Sequence, residues 1–262
     1  MNPGEASLIR VGVVGAGGRM GRTVCAAVAE HPGLELVAAV DPACAGERLC
    51  DLTVASGLRA LADAGAQVVV DFTTLEAART TVSWAALHGV NAVVGTTGWS
   101  PDDLARMEVD FTRSNCLVAA NFAIGAVLMM RFAELAAPWF DTVDVIELHH
   151  DAKIDAPSGT AMTTMERIAA ASTEWAPDPT KHELVPGARG GVGPAGIHVH
   201  SLRVRGMVAH QEVLMGGRGE TLTIRHDSYD RVSFMAGVTL ACTRVAELGR
   251  PLTVGIEGLL GL

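Results

Sequence analysis

Short apolar runs alternate with stretches of helical period over the first 120 positions. Ile9 to Val14, Leu34 to Val40, Val68 to Phe72, Ala92 to Gly95 and Leu117 to Ala119 predict strands. Between them Arg22 to Glu30, Leu75 to His88 and Pro101 to Arg113 predict helices, the last opened by Ser100 as N-cap and Pro101 at the first helical position. The first, third and fourth strands are almost continuously apolar, as strands covered on both faces are. Such alternation predicts an α/β fold with a Rossmann-like, doubly wound parallel sheet.

After Asn121 the pattern changes. A helix over about Gly125 to Ala137 is stopped by Pro138, a strand spans Thr142 to Leu148, and a second helix covers about Thr160 to Ala171. Ala176 to Gly196 is rich in Pro and Gly and reads as loop. Period two then governs Ile197 to Met207, Val208 to Met215 and Glu220 to His226. The last two runs join through Gly216-Gly217-Arg218-Gly219, which predicts an antiparallel pairing. Val238 to Leu248 is helical again and is expected to pack on the first domain. The chain thus divides into residues 1–120, completed by about 232–262, and a second α+β domain with a mixed or antiparallel sheet over residues 121–231.

Composition narrows the classes. With 49% hydrophobic but only 4% aromatic residues, the core must be built mainly from Ala, Val, Leu and Met. Asp and Glu number 29 against 20 Lys and Arg, and the net charge of -9 opposes phosphate backbones and anionic membrane surfaces, so no nucleic-acid or membrane partner is expected. The longest apolar run, Cys116 to Met130, contains Asn121 and is shorter than the roughly 20 residues a bilayer demands. The opening Met-Asn-Pro-Gly-Glu has no basic start followed by an apolar stretch, so no signal peptide is expected and cytoplasm is the default location. Five cysteines form no Cys-x-x-Cys pair and read as reduced thiols rather than a disulfide framework or zinc ribbon.

Two segments carry chemistry. Gly15-Ala-Gly17-Gly18-Arg19-Met20-Gly21 follows a strand and opens a helix. Met20 occupies the third-glycine place of the strict Gly-x-Gly-x-x-Gly pattern, and the glycines fit Gly15-x-x-Gly18-x-x-Gly21 instead. The physical requirement is the same: a tight turn, no Cβ where a pyrophosphate approaches, and exposed N–H groups at a helix start. Arg19 adds a cation. Asp41 ends the second strand twenty residues after Gly21, where a carboxylate accepts ribose hydroxyls. Because Pro42 offers no cation for a 2′-phosphate, Asp41-Pro42 favours NADH over NADPH, although Arg19 could supply one from the first loop and the pair could simply form a strand-ending turn. Gly95-Thr96-Thr97-Gly98 follows the fourth strand at the same carboxyl edge and would face the nicotinamide ribose.

The second segment is Glu147-Leu-His149-His150-Asp-Ala-Lys153-Ile-Asp155-Ala-Pro157-Ser158-Gly159-Thr160-Ala161. His149 or His150 can supply a proton near neutral pH. Lys153 can bind an anionic group, and the helix start at Ser158, Gly159 and Thr160 is an anion site suited to a carboxylate. Asp155 could orient Lys153 or the loop. A two-histidine metal site lacks a clear third ligand here, and His198-x-His200 reads as partner-facing or solvent-facing rather than metal-binding. Glycine turn and acid segment together suggest a reductase. A dehydrogenase of another amino or imino dicarboxylate, or a nucleotide-binding regulator without catalysis, would share these features.

These residues make the chain similar to the dihydrodipicolinate reductase family. Gly15 to Arg22 resembles that family's Gly-x-x-Gly-Arg-Met-Gly-Arg turn, Gly95 to Gly98 its Gly-Thr-Thr-Gly loop, and Asn121-Phe122 its Asn-Phe-Ser hinge, with Ala123 where serine is usual. Glu147 to Ala161 resembles its signature over the full length, and Arg205 to Val213 and Arg225 to Ser228 are similar to its sheet segments. The resemblance implies that His149 is the general acid, Lys153 a proton donor or substrate anchor and His150 a substrate-binding partner. Ser158, Gly159 and Thr160 would hold a ring carboxylate. Gly15, Gly18, Arg19, Met20, Gly21, Asp41, Gly95, Thr97, Asn121 and Phe122 would meet NADH or NADPH, with no metal. It further implies reduction of a cyclic dicarboxylate, 4-hydroxy-tetrahydrodipicolinate, in diaminopimelate and lysine synthesis, a homotetramer joined through the second domain, and a hinge closing on substrate. At Pro42 the family often has a basic residue, which leaves the choice of cofactor open.

Overall fold

Strand β1, Ile9–Val14, turns through Gly15 into helix α1, Arg19–Glu30, and strand β2, Leu34–Val40, returns parallel beside β1. In this computed structural model residues 7–262 are described, so the reading of the first five residues lies outside the described residues. After β2 come a hairpin of β3, Arg48–Leu49, and β4, Leu52–Thr53, and the short helix α2, Arg59–Asp63. Strand β5, Val68–Asp71, then pairs with the other side of β1. Helix α3, Leu75–His88, strand β6, Asn91–Val94, helix α4, Pro101–Asp110, and strand β7, Cys116–Val118, extend the sheet in that direction. Because β2 and β5 flank β1, chain direction across the sheet reverses between β1 and β5. Ligands of open α/β sheets bind at such a switch point, beyond the carboxyl ends of the strands.

Alternation explains how both faces are covered. Val14, Ala38, Val40, Val69, Ala92 and Val94 pack with Leu61, Val82 and Met107 of α2, α3 and α4 on one face. Val11, Val13, Val68, Val70 and Val93, on the opposite parity, are also buried. Helix α7, Met235–Arg244, contacts α1, β1 and β6. Helix α4 starts with a full capping box, the Ser100 hydroxyl accepting from Asp103 N–H while Asp103 accepts from Ser100 N–H. Three features of this unit escaped the sequence reading: the β3–β4 hairpin, the short helix α2 and a last strand β13, Leu252–Val254, which adds to β7 in parallel as the sixth strand. Its three residues are too few to show a period.

A second unit follows from Ile124–Ser233, while Phe234–Leu262 belongs with the residues up to Ala123. Helix α5, Ile124–Ala136, strand β8, Thr142–His149, and helix α6, Gly159–Ala171, precede the loop-rich stretch, in which only the two-residue strand β9, Gly191–Val192, pairs. Strands β10, His198–Arg203, β11, Ala209–Gly217, and β12, Glu220–Ser228, complete a five-stranded sheet in the order β12, β11, β8, β10, β9. The hairpin of β11 and β12 is antiparallel as predicted, but β10 runs parallel to β8, so the sheet is mixed. Parallel neighbours need a long crossover, and α6 with the following loop supplies it. Val143, Val145, Val213 and Met215 form the core of this unit with Ala133 of α5 and Met165 and Ile168 of α6.

Candidate active site

At the carboxyl end of β1, Gly15 adopts φ +76, and both its N–H and that of Ala16 donate to the Val40 carbonyl at 2.8 and 3.2 Å. Gly21 is required by close approach: a Cβ there would lie 2.0 Å from the Gly15 carbonyl oxygen. Gly18 is the N-cap of α1 and has no side chain to satisfy the helix start, and the first intrahelical bond is Arg22 N–H to Gly18 at 3.0 Å. The N–H groups of Arg19, Met20 and Gly21 therefore precede any acceptor within the helix. Gly18 and Arg19 are exposed, Met20 is half-buried, and Arg22 is tied to the Gly17 carbonyl and Glu47. An exposed helix start with no side chain over it fits the pyrophosphate of a dinucleotide.

Asp41 performs the turn-forming role left open by the sequence. Its Oδ1 accepts from Ala43 N–H at 2.9 Å and its Oδ2 from Gly17 N–H at 3.0 Å, joining the end of β2 to the glycine turn. Each oxygen retains a lone pair for a ribose hydroxyl. The Gly95–Gly98 loop is anchored by a group not foreseen, Asp71. This fully buried carboxylate at the end of β5 accepts from Thr73 N–H and Oγ1 at 2.9 and 2.7 Å and from Thr96 Oγ1 at 3.1 Å. Thr97 stays exposed and Gly98 takes φ +92. Asn121 accepts from Ala123 N–H at 2.8 Å. Phe122 is 1% exposed and its ring packs 5.6 Å from that of Phe72, so its side chain is a core group.

In the second unit, successive odd residues of β8 share one face, which brings Glu147 and His149 together at the strand's end. His149 Nδ1 lies 2.5 Å from Glu147 Oε2. The completely buried Glu147 also receives a two-pronged ion pair from Arg203 on β10, at 3.0 and 2.9 Å. Burial works to raise the Glu147 carboxyl, but hydrogen bonds from Arg203, Ser201 and His149 outweigh it and hold the group below its usual range. Burial first, then the charges of Lys153 and Arg203, lower the His149 pKa against the opposing pull of Glu147. His150 is exposed, and its carbonyl accepts from Lys153 N–H at 3.2 Å.

Lys153 Nζ donates to both oxygens of Asp155 at 2.8 and 2.9 Å, so Asp155 orients Lys153 as one sequence reading held. Ser158 is buried and caps α6, its hydroxyl accepting from Ala161 N–H at 3.2 Å. Gly159 is exposed, and a Cβ added there would meet no protein atom within 4 Å, leaving the helix start accessible to a ligand. Thr160 is half-buried in the first turn, its carbonyl accepting from Thr164 Oγ1 at 2.7 Å. His149, Lys153 and the α6 start thus fall within one loop and its two flanking elements.

His198 and His200 depart from expectation. His198 is buried and pairs with Asp178 at 3.0 Å, while His200 pairs with Asp144 at 2.9 Å. Arg189 bridges the two carboxylates, so these histidines help tie the loop-rich stretch to the sheet. Among the described residues no group of three His, Cys, Asp or Glu is placed to hold a metal ion. Arg203 and Asp71 were missed because a lone charged residue near a strand end carries no spacing signal. Only their burial and partners reveal them.

Comparison with known proteins shows the family of this chain. Residues 9–122 match the model of the N-terminal part of dihydrodipicolinate reductase, and residues 125–260 match that of its C-terminal part. A 4-hydroxy-tetrahydrodipicolinate reductase of Cutibacterium acnes is 54% identical, covering 97% of this chain and all of the relative. One of Corynebacterium urealyticum is 46% identical over the same share. Among solved structures, a dipicolinate-bound dihydrodipicolinate reductase from a Paenisporosarcina strain superimposes with a TM-score of 0.84 at 38% identity, covering 96% of this chain and 99% of the other. An amine dehydrogenase of Mycobacterium smegmatis, at 14% identity and a TM-score of 0.65, shares the fold. Matches to both family models, full-length relatives and a similar solved structure place this chain in the dihydrodipicolinate reductase family.

Proposed function

We propose that this protein is the NAD(P)H-dependent oxidoreductase that converts 4-hydroxy-tetrahydrodipicolinate to tetrahydrodipicolinate in diaminopimelate and lysine synthesis. The observation that carries this reading is the joining of His149, Lys153 and the Ser158–Thr160 helix start in one loop region of a chain of this family. A reduced nicotinamide, when bound, would provide the hydride for ring carbon 4 once water has left the ring. One proton completes the two-electron reduction, and His149 supplies it from the ring nitrogen that Glu147 does not engage. Lys153 draws one carboxylate of the ring, releasing part of its bond to Asp155. The α6 start, led by Gly159, receives the other through its N–H groups and dipole. At the glycine turn Gly18 and the N–H groups that follow would hold the pyrophosphate, and Gly95 to Gly98 would meet the nicotinamide ribose.

Purified protein with freshly condensed pyruvate and aspartate-semialdehyde should bleach the reduced nicotinamide band; no loss of absorbance with either cofactor would reject the reading. NADH is the favoured cofactor. Asp41 presents negative charge where a 2′-phosphate would sit, Pro42 offers no compensating cation, and Arg22 is already committed to Glu47. In that assay kcat/KM should be higher with NADH than with NADPH, and the reverse order would overturn the preference.

The working assembly is proposed as a homotetramer. Helices α5 and α6 pack on one face of the second unit's sheet, and the opposite face presents Leu202 and Leu214 at 38% and 36% exposure. Sedimentation at micromolar concentration should give four chains, and a monomer would contradict it. Among the described residues no helix is long and apolar enough to cross a membrane. All five cysteines are free, which suits a reducing cytoplasm, and recovery in a membrane fraction would argue otherwise.

A further inference from the structure

Arg203 spends its guanidinium in an unusual way for a strand-end cation. Its two terminal nitrogens each donate twice: one to Glu147 Oε2 and the Leu202 carbonyl, the other to Glu147 Oε1 and the Asp155 carbonyl. No terminal N–H is left for a ligand, and Nε is buried without a partner. The guanidinium therefore faces inward, toward a carboxylate that is itself wholly buried, instead of outward to substrate. Burying an ion pair is costly, and its net contribution to folding stability is commonly small or unfavourable. A feature of that cost placed directly behind a catalytic imidazole calls for a use beyond stability.

Building on the reading of His149 as the proton donor, we propose that Glu147 is a positioning residue for the reduction: clamped by Arg203, it keeps one proton on His149 Nδ1 and presents Nε2 to the dicarboxylate. The carboxylate has only acceptors to offer, so the ring nitrogen facing it must carry hydrogen. When His149 gives the Nε2 proton to the substrate, the product is the neutral Nδ1–H tautomer, already satisfied by Glu147. The proton never passes to Glu147, because the Arg203 fork stabilises the ionised form. Arg203 also bonds the carbonyl of Asp155, whose carboxylate holds Lys153, so the same guanidinium supports both the acid and the anchor. Outer partners of this kind fix the tautomer and orientation of a functional histidine.

The charged groups facing His149 are Glu147 on its own strand, Arg203 on β10 and Lys153 on the loop, while Ala209, its partner on β11, brings no charge. Removing the Glu147 charge therefore leaves two cations beside the ring. Glu147→Gln should lower kcat at least tenfold with a much smaller change in the KM for the dicarboxylate. The pH midpoint of the His149 limb should move to lower pH, because the imidazolium loses the carboxylate that stabilises it. A residue that merely stabilised the fold would reduce activity and leave that midpoint in place. Histidine nitrogen NMR on the intact wild-type protein, with His149 assigned by comparison with His149→Gln, tests the tautomer without reference to turnover. At a pH where the ring is neutral, hydrogen on Nδ1 is expected; hydrogen on Nε2, or an unmoved midpoint in a folded Glu147→Gln variant, overturns the assignment. Because the spectrum needs no substrate, it separates failure of this assignment from failure of the proposed reaction.

Discussion

Replacing His149 with glutamine should reduce kcat by roughly 10²- to 10⁴-fold, the range that a positioned general acid contributes. The KM for the cyclic dicarboxylate should change little, because the proton is needed chiefly in the transition state. Glutamine retains a polar end of similar reach but has no proton to give at neutral pH. The pH profile sharpens the expectation. Burial holds the His149 pKa below its ordinary value, so the protonated form is favoured only as pH falls through that lowered value. kcat/KM of the wild type should therefore decline as pH rises above it, and this limb should vanish in the variant. Negative charge on an arriving dicarboxylate opposes the effect of burial, so the corresponding limb of kcat should sit at higher pH than that of kcat/KM. Steady-state kinetics of both proteins across pH check this, and an equal loss in kcat and in substrate affinity would contradict the acid role.

Lys153→Ala should act on binding. A hydrogen bond to a charged group contributes about 1.5–3 kcal/mol, so the KM for the dicarboxylate should rise roughly ten- to a hundred-fold. The fold should tolerate the change. Asp155 is 60% exposed at its side chain, so the partner left behind remains in water, and surface pairs of this kind add little to stability. Thermal melting within a few degrees of wild type alongside an unchanged KM would remove Lys153 from the substrate site.

Much of this site is legible before any coordinates are known, for physical reasons. Gly15, Gly18 and Gly21 announce a strand-to-helix turn because the backbone there has no room for, or no use for, side chains, and the positions of those glycines are fixed by geometry. The α6 start is likewise readable, since Ser158 before Gly159 is a residue type that caps a helix. Asp41 was half legible: its place at the end of β2 follows from spacing, but its bonds to Gly17 and Ala43 depend on how the loops fold together. The burial of the Phe122 side chain was not legible, because an aromatic beside a motif can face the core as readily as a ligand. Arg203 lies 56 residues from Glu147 and meets it only because β10 lies parallel to β8, a pairing that period-two alternation cannot distinguish from an antiparallel one.

The most direct test follows the hydrogen itself. NADH deuterated at nicotinamide carbon 4 on the transferred face should, with this protein and the freshly condensed substrate, give tetrahydrodipicolinate carrying one deuterium at ring carbon 4 by mass spectrometry and NMR. Product formed without deuterium, or with deuterium at another ring carbon, would contradict direct transfer from the cofactor to the ring.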